Sequence, residues 1–328
     1  MMYWFRVAVF LYATFFFSLL HAETTVIKSS VANAAGLPVE LITYSDYISN
    51  TEMVLARTTV AKNGTFDLRF ELDHTIFSIL KIGIQKCEIL LEPAKTYQLK
   101  ISGILSEKLR DKDIPAFQIP WLQVEVINPW KFELNGLTNE FFDFHDEFLA
   151  ENTMTILRSR NTGVLNKYVT ELYNRFPGID NAWFNDLLTY KTAEIEMMLR
   201  ITDRKALAEK YLLDHEILYD HMEYMDFFQK FFEKYLITSS LYERRDIVAA
   251  LDSPQSYSLM MEMLSIDTIL KNKRLRELVL IRSMFDLWAI PGFNRDRINK
   301  LLQQVQTESK YAEHQLIATN IINHFSAQ

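Results

Sequence analysis

Lys62-Asn63-Gly64-Thr65-Phe66-Asp67-Leu68-Arg69-Phe70-Glu71 decides how the first third of the chain is read. Asn-Gly is the strongest short-range hairpin signal, because both residues tolerate the turn backbone that joins two twisted strands. After it Phe66, Leu68 and Phe70 alternate with Asp67, Arg69 and Glu71, which puts three apolar side chains on one face of a strand. Working outward, Val39–Tyr44, Met53–Val60, Ile76–Ile84, Cys87–Leu91 and Tyr97–Ile101 read as further strands. About seven short strands between Thr24 and Ser102 predict an antiparallel β-sandwich.

Residues 103–137 break the pattern. Pro115, Pro120 and Pro129 exclude helix interiors and central strands, so this stretch reads as an extended connector with an edge strand at Leu122–Ile127. From Thr138 the period changes to that of helices. Ile298, Leu301, Leu302 and Val305 fall at i, i+3, i+4 and i+7, as do Leu278, Ile281, Phe285 and Trp288 one element earlier. Ser253-Pro254 predicts an N-cap followed by proline at the first helical position. Pro177-Gly178 and Pro291-Gly292 separate helices, of which about eight to ten are expected. Nine of the 12 methionines lie here and read as gap-fillers of a helical core. The expected class is α+β: a β-sandwich over 23–102, a connector over 103–137 and an all-α helical domain over 138–328.

The 328 residues are 49% hydrophobic and 23% charged, which excludes a disordered or fibrous chain, and only 8 glycines argue against an all-β one. The net charge of −7 excludes a general nucleic-acid binder, since phosphate contacts need a basic surface. Cys87 is the only cysteine, so an intramolecular disulfide, a CxxC pair and a cysteine-rich zinc site are excluded. Residues 1–22, MMYWFRVAVFLYATFFFSLLHA, have a single charge at Arg6, an apolar run from Val7 to Leu20 and Ala22 at the −1 position of a cleavage site. These are the parts of a secretory signal peptide, cleaved after Ala22, with an uncleaved anchor as the alternative. No other stretch is apolar enough to span a membrane, so no membrane association is expected after cleavage.

The common catalytic fingerprints are missing: no GxGxxG, P-loop, HExxH or GxSxG occurs. The richest polar cluster is Asp214, His215, Glu216, Asp220, His221 and Glu223. On one helix Glu216, Asp220 and Glu223 would form a solvated acidic stripe, and the six-residue spacing of the histidines serves a metal poorly. Lys271–Arg276 is a basic run expected to be an exposed helix start, with docking to an acidic partner as its functional alternative. Trp121 and Trp130 are candidate ligand platforms for a sugar or peptide, or pins that hold the connector to its neighbours. Cys87, between Lys86 and Glu88 in a strand, reads as a small buried hydrophobe.

Several stretches resemble a known family. Tyr211–Leu213 through Tyr224–Phe228, Leu275–Leu280 and Glu313–Asn320 are similar to the helical region of TlpA-like thiol-disulfide oxidoreductases exported by Gram-negative bacteria. Asn63–Phe66 and Ile89–Pro93 are similar to the β-sandwich at the amino end of the same proteins. In that family a thioredoxin domain with a CxxC pair follows the helical region. Gln328 stands where that domain would begin, and Cys87 matches no catalytic position, so no catalytic residue is carried over. The resemblance implies a non-catalytic extracytoplasmic binding protein with no cofactor and no metal. Its expected partner is a periplasmic protein or a separate thioredoxin-like chain. The alternatives are one half of a split or truncated thiol-disulfide oxidoreductase, and a glycan-binding module that uses Trp121 or Trp130. Expressed with its leader in a Gram-negative host, the mature chain is expected to begin at Glu23 by N-terminal sequencing; an intact Met1 in the membrane fraction selects the anchor.

Overall fold

The computed structural model describes residues 23–104, 115, 119–158 and 160–327. The expected leader, residues 1–22, lies outside them. The strands are β1 (Glu23–Ser30), β2 (Pro38–Tyr44), β3 (Glu52–Thr59), β4 (Thr65–Leu72), β5 (Ile76–Ile82), β6 (Gln85–Leu91), β7 (Thr96–Ser102) and β8 (Gln123–Val126). They form two four-stranded sheets, ordered β4-β1-β7-β8 and β3-β2-β5-β6. Every second residue of β4 is buried, and Ile27, Phe66, Tyr97 and Leu99 of the first sheet share one core with Leu41, Leu80, Cys87 and Leu91 of the second. The sandwich follows from that alternation. Among the described residues its one parallel pair is β1 with β7, in register Val26↔Thr96.

The Asn-Gly turn reads in the sequence as a hairpin, but it does not join paired strands. β3 and β4 lie in different sheets, and the turn is the corner between them. Gly64 has φ +85° and hydrogen-bonds the Ala61 carbonyl at 2.8 Å, while its own carbonyl accepts from Val31 N–H at 2.7 Å. A Cβ there would lie 3.1 Å from the Val31 oxygen, so the corner needs glycine. Turn chemistry reports the local bend, whereas sheet membership is decided by β1, which takes the inner edge of β4 along its whole length.

The second sheet is covered on both faces, which is why Ile76–Ile82 is apolar on both sides, with only Ser78 and Lys81 as polar residues, and is buried at every position but Lys81. Phe77, Ile79 and Leu90 point away from the sandwich core into a cluster made by α1 (Leu134–Arg158), α2 (Thr162–Arg175) and α3 (Ala182–Leu199). α1 thus begins four residues before the expected helical boundary, inside the stretch read as connector. Glu133 accepts hydrogen bonds from the N–H groups of Asn135 and Gly136 at 3.0 and 2.8 Å, satisfying donors of the first turn. Asn135 in turn pairs with both the N–H and the C=O of Leu90, at 2.8 and 2.9 Å, tying helix to strand. The expected edge strand is β8, paired antiparallel with β7.

The remaining helices are α4 (Arg204–Tyr211), α5 (Met222–Phe231), α6 (Tyr235–Thr238), α7 (Arg244–Asp252), α8 (Ser256–Leu264), α9 (Lys273–Trp288), α10 (Arg295–Glu308) and α11 (Ala312–Ser326). They build a third core, into which the sandwich inserts Tyr47 and Ile48 from the loop between β2 and β3. Gln229 donates to the Tyr47 carbonyl at 2.8 Å, and Asn320 of α11 donates to Ser45 Oγ and Asp46 Oδ2 at 2.8 and 2.9 Å. Ser253 is not the N-cap its sequence predicts: it ends α7, and α8 starts at Ser256. Gln304 supplies the missing cap by accepting from Ser256 Oγ and Tyr257 N–H, both at 2.9 Å. Among the described residues no helix is long and apolar enough to cross a membrane. Tyr47→Ala is expected to cost about 3 kcal/mol, the range of large-to-small changes in a core, read as a lower urea midpoint; a change below about 1 kcal/mol would show that the inserted loop contributes little.

Candidate functional site

The polar cluster of the sequence is not a helical stripe. Asp214 has φ +37°, a left-handed backbone that ends the preceding turn, and residues 215–221 run irregularly along the junction with the sandwich. Glu216 and Asp220 are exposed there, but His221 and Glu223 are buried, which corrects the expectation of a solvated face. His221 is the N-cap of α5. Its Nδ1 faces Tyr224 N–H at 3.4 Å, its Nε2–H donates to the Trp183 carbonyl at 2.9 Å, and its ring stacks on Trp183 at 4.5 Å. Only the neutral ring can cap with one nitrogen and donate with the other. Burial lowers the His221 pKa to about 4, outweighing the two backbone hydrogen bonds. Glu223 meets Lys191 Nζ at 2.6 Å; burial raises its carboxyl, and Lys191 opposes the rise.

A second buried chain leads to the same junction. His314, fully buried, lies 3.0 Å by Nδ1 from Glu277 and 2.7 Å by Nε2 from the Tyr219 hydroxyl. Arg274 Nε donates to that hydroxyl at 3.1 Å, and its guanidinium pairs with Glu313 at 3.0 Å. Burial works to raise the Glu277 carboxyl, but hydrogen bonds from His314, Ser309 and Tyr257 hold it below the usual range. Arg274 comes from the basic run, which starts α9 behind the N-cap Asn272, as expected. Arg276 folds back on the Leu270 carbonyl at 2.6 Å, so the run is partly consumed by structure.

Two cavities meet at this junction. One, of about 260 Å³, lies between β3, the β4–β5 turn and α11, with Met53, Leu55, Leu72 and Leu316 in its wall. The other, of about 430 Å³, lies between the same turn, the start of α3 and residues 216–221, with Trp183, Asp186, Tyr219 and Arg274 in its wall. His74 and Asp220 line both. His74 Nδ1 is 2.5 Å from Asp73, and Nε2 is 3.7 Å from the Asp220 carboxylate, so this pair bars one continuous groove. A roomier cleft of about 530 Å³ between α2 and α3 has a single charged wall residue, Lys210, already committed to Glu196 at 2.7 Å. We place the candidate site at the junction, where carboxylates outnumber their cations.

Trp121 and Trp130 do not line this groove. They lie beyond opposite ends of β8: Trp121 is half exposed beneath Lys86, 4.5 Å from its ring centre, and Trp130 packs edge-on against Tyr97 at 5.1 Å with Lys95 above it. Cys87 sits in the sandwich core with Sγ 3.7 Å from the Leu80 carbonyl, and burial pushes its thiol up to about 12. Among the described residues no group of three or more His, Cys, Asp or Glu is arranged to hold a metal ion. No protein-family model matches this chain, and no curated protein matches it.

The groove residues His74, Trp183 and Asp186 escaped the sequence reading: Trp183 and Asp186 are one turn apart on α3, but nothing local joins them to His74 in the β4–β5 turn. His145 is held like His221: burial, with Lys191 nearby, lowers its pKa to about 4. Both folded values lie below the ordinary 6.5, so the unfolded chain binds the protons more tightly. The stability they confer is therefore complete above pH 6.5 and is lost as pH falls towards 4, by up to about 3 kcal/mol for each ring. The urea midpoint is expected to drop across that window, and less steeply in the His145→Asn/His221→Asn chain; an unchanged slope contradicts the assignment.

Proposed function

We propose that this chain is a non-catalytic extracytoplasmic binding protein, related to the non-redox part of TlpA-like oxidoreductases, that holds a partner in the groove between its sandwich and its helices. The groove carries the reading. Its walls come from β3, the β4–β5 turn, α3, α9 and α11, and it joins an apolar floor to unmatched carboxylates. Concave sites with a few placed polar groups at the meeting of two structural units are where ligands bind. The buried thiol of Cys87 supports the non-redox part, since exchange needs an accessible thiolate near neutral pH. The signal-peptide pattern of residues 1–22 supports the export part of this reading.

Affinity capture from a periplasmic extract is expected to retain a defined protein on the native chain and to lose it with Leu316→Asp, which puts a charge on the apolar wall. Capture that survives this change, or none at all, overturns the groove as the binding site. In parallel, Cys87 is expected to react with a thiol reagent only after unfolding, and the chain to leave insulin disulfides intact; reduction of insulin above background overturns the non-redox reading.

A further inference from the structure

We infer that the junction groove takes an extended peptide segment in which apolar side chains are followed by a basic one, the apolar part in the smaller cavity and the cation beside Asp186 and Asp220 in the larger. This rests on the reading of the groove as a binding site and adds the chemistry of its occupant.

The two cavities differ in kind. On the smaller, Met53 of β3 and Leu316 of α11 are 46% and 47% exposed, large apolar side chains left in water from two sides of one depression. On the larger, Asp186, Glu216, Asp220 and Glu313 face one permanent cation, Arg274, and the His74 imidazole. Arg274 is engaged by Glu313 and by the Tyr219 hydroxyl, and His74 by Asp73 at 2.5 Å, with Asp220 the more distant at 3.7 Å. The Asp186 carboxylate makes no hydrogen bond and no ion pair among the described residues, although it is partly buried at the start of α3. Other withdrawn carboxylates of this protein are matched, Glu223 by Lys191, Glu196 by Lys210 and Asp46 by four hydrogen-bond donors. The Asp186 carboxylate has neither kind of partner.

Burial without compensation raises the Asp186 carboxyl, the condition that an incoming ammonium or guanidinium reverses. The Trp183 ring, stacked on His221, lines the same cavity. A ligand carrying apolar groups and a cation at a fixed spacing fits both cavities at once, and an extended peptide supplies that spacing through its backbone. A lysine or arginine would replace His74 as the partner of Asp220, removing the bar across the groove.

The test uses the mature chain and two fluorescein-labelled heptapeptides, Gly-Leu-Ser-Val-Ser-Lys-Lys and Gly-Leu-Ser-Val-Ser-Glu-Glu, followed by anisotropy at low and high salt. The Lys peptide is expected to bind at least about tenfold more tightly than the Glu peptide, with the difference shrinking in salt. Asp186→Asn/Asp220→Asn, at sites outside the core, should abolish the preference, and Met53→Asp should weaken the Lys peptide. Equal or reversed affinities in the native chain, or a preference that survives the double substitution, overturns the inference. If the captured periplasmic protein still depends on Leu316 while the Lys peptide shows no advantage, the groove remains a binding site and the basic-peptide assignment falls. If neither binds, both fall.

Discussion

The carboxylate of Asp46 holds the two halves of this protein in one arrangement. It is 6% exposed, and it accepts from the N–H groups of Ile48 and Ser49 at 2.8 and 2.7 Å, from Ser49 Oγ at 2.5 Å and from Asn320 Nδ2 at 2.9 Å. A buried carboxylate is tolerable only with such donors, and three of the four come from its own loop. The turn they fix aims Tyr47 and Ile48 out of the sandwich and into the helical core. The fourth reaches across to α11. Two walls of the groove are tied to this junction directly, because β3 begins just after the loop and α11 carries both Asn320 and Leu316.

The loop is also where sequence reading loses its grip. Strands were legible wherever one face is buried, since alternation in Phe66, Leu68 and Phe70 is the direct imprint of burial. Helices such as α10 were legible for the same reason at their own period. Periodicity reports which face is buried and not what buries it. The corner at Gly64 therefore looked like a hairpin, and the doubly covered β5 looked like any apolar strand. Residues 45–51 have no period at all; their meaning lies in Gln229 and Asn320, far along the chain. The same holds for His221, whose cap and stacking partner Trp183 sits on another helix, and for Ser253, displaced as a cap by Gln304.

The charges sort into two groups by what surrounds them. Lys191–Glu223, Arg282–Asp286 and His314–Glu277 are largely withdrawn from solvent and serve packing specificity, each carboxylate close to its cation or imidazole. At the junction, by contrast, acidic side chains gather around an apolar-floored depression without enough cations to match them. Surface carboxylates on their own mean little, because an acidic protein has many. Their concentration beside exposed Met53 and Leu316, in a groove walled by both the sandwich and the helices, is what separates this place from the rest of the surface.

Rigidity is the central claim, and native-state hydrogen exchange of the loop tests it most directly. If the Asp46 turn locks the sandwich into the helices, the amides of Ile48 and Ser49 should exchange only through the same global opening as the amides buried in α9, with a matching free energy and denaturant slope. Exchange of Ile48 and Ser49 at the rate of an open loop, while α9 stays protected, would mean that the two halves separate freely and that the groove between them is not a preformed site.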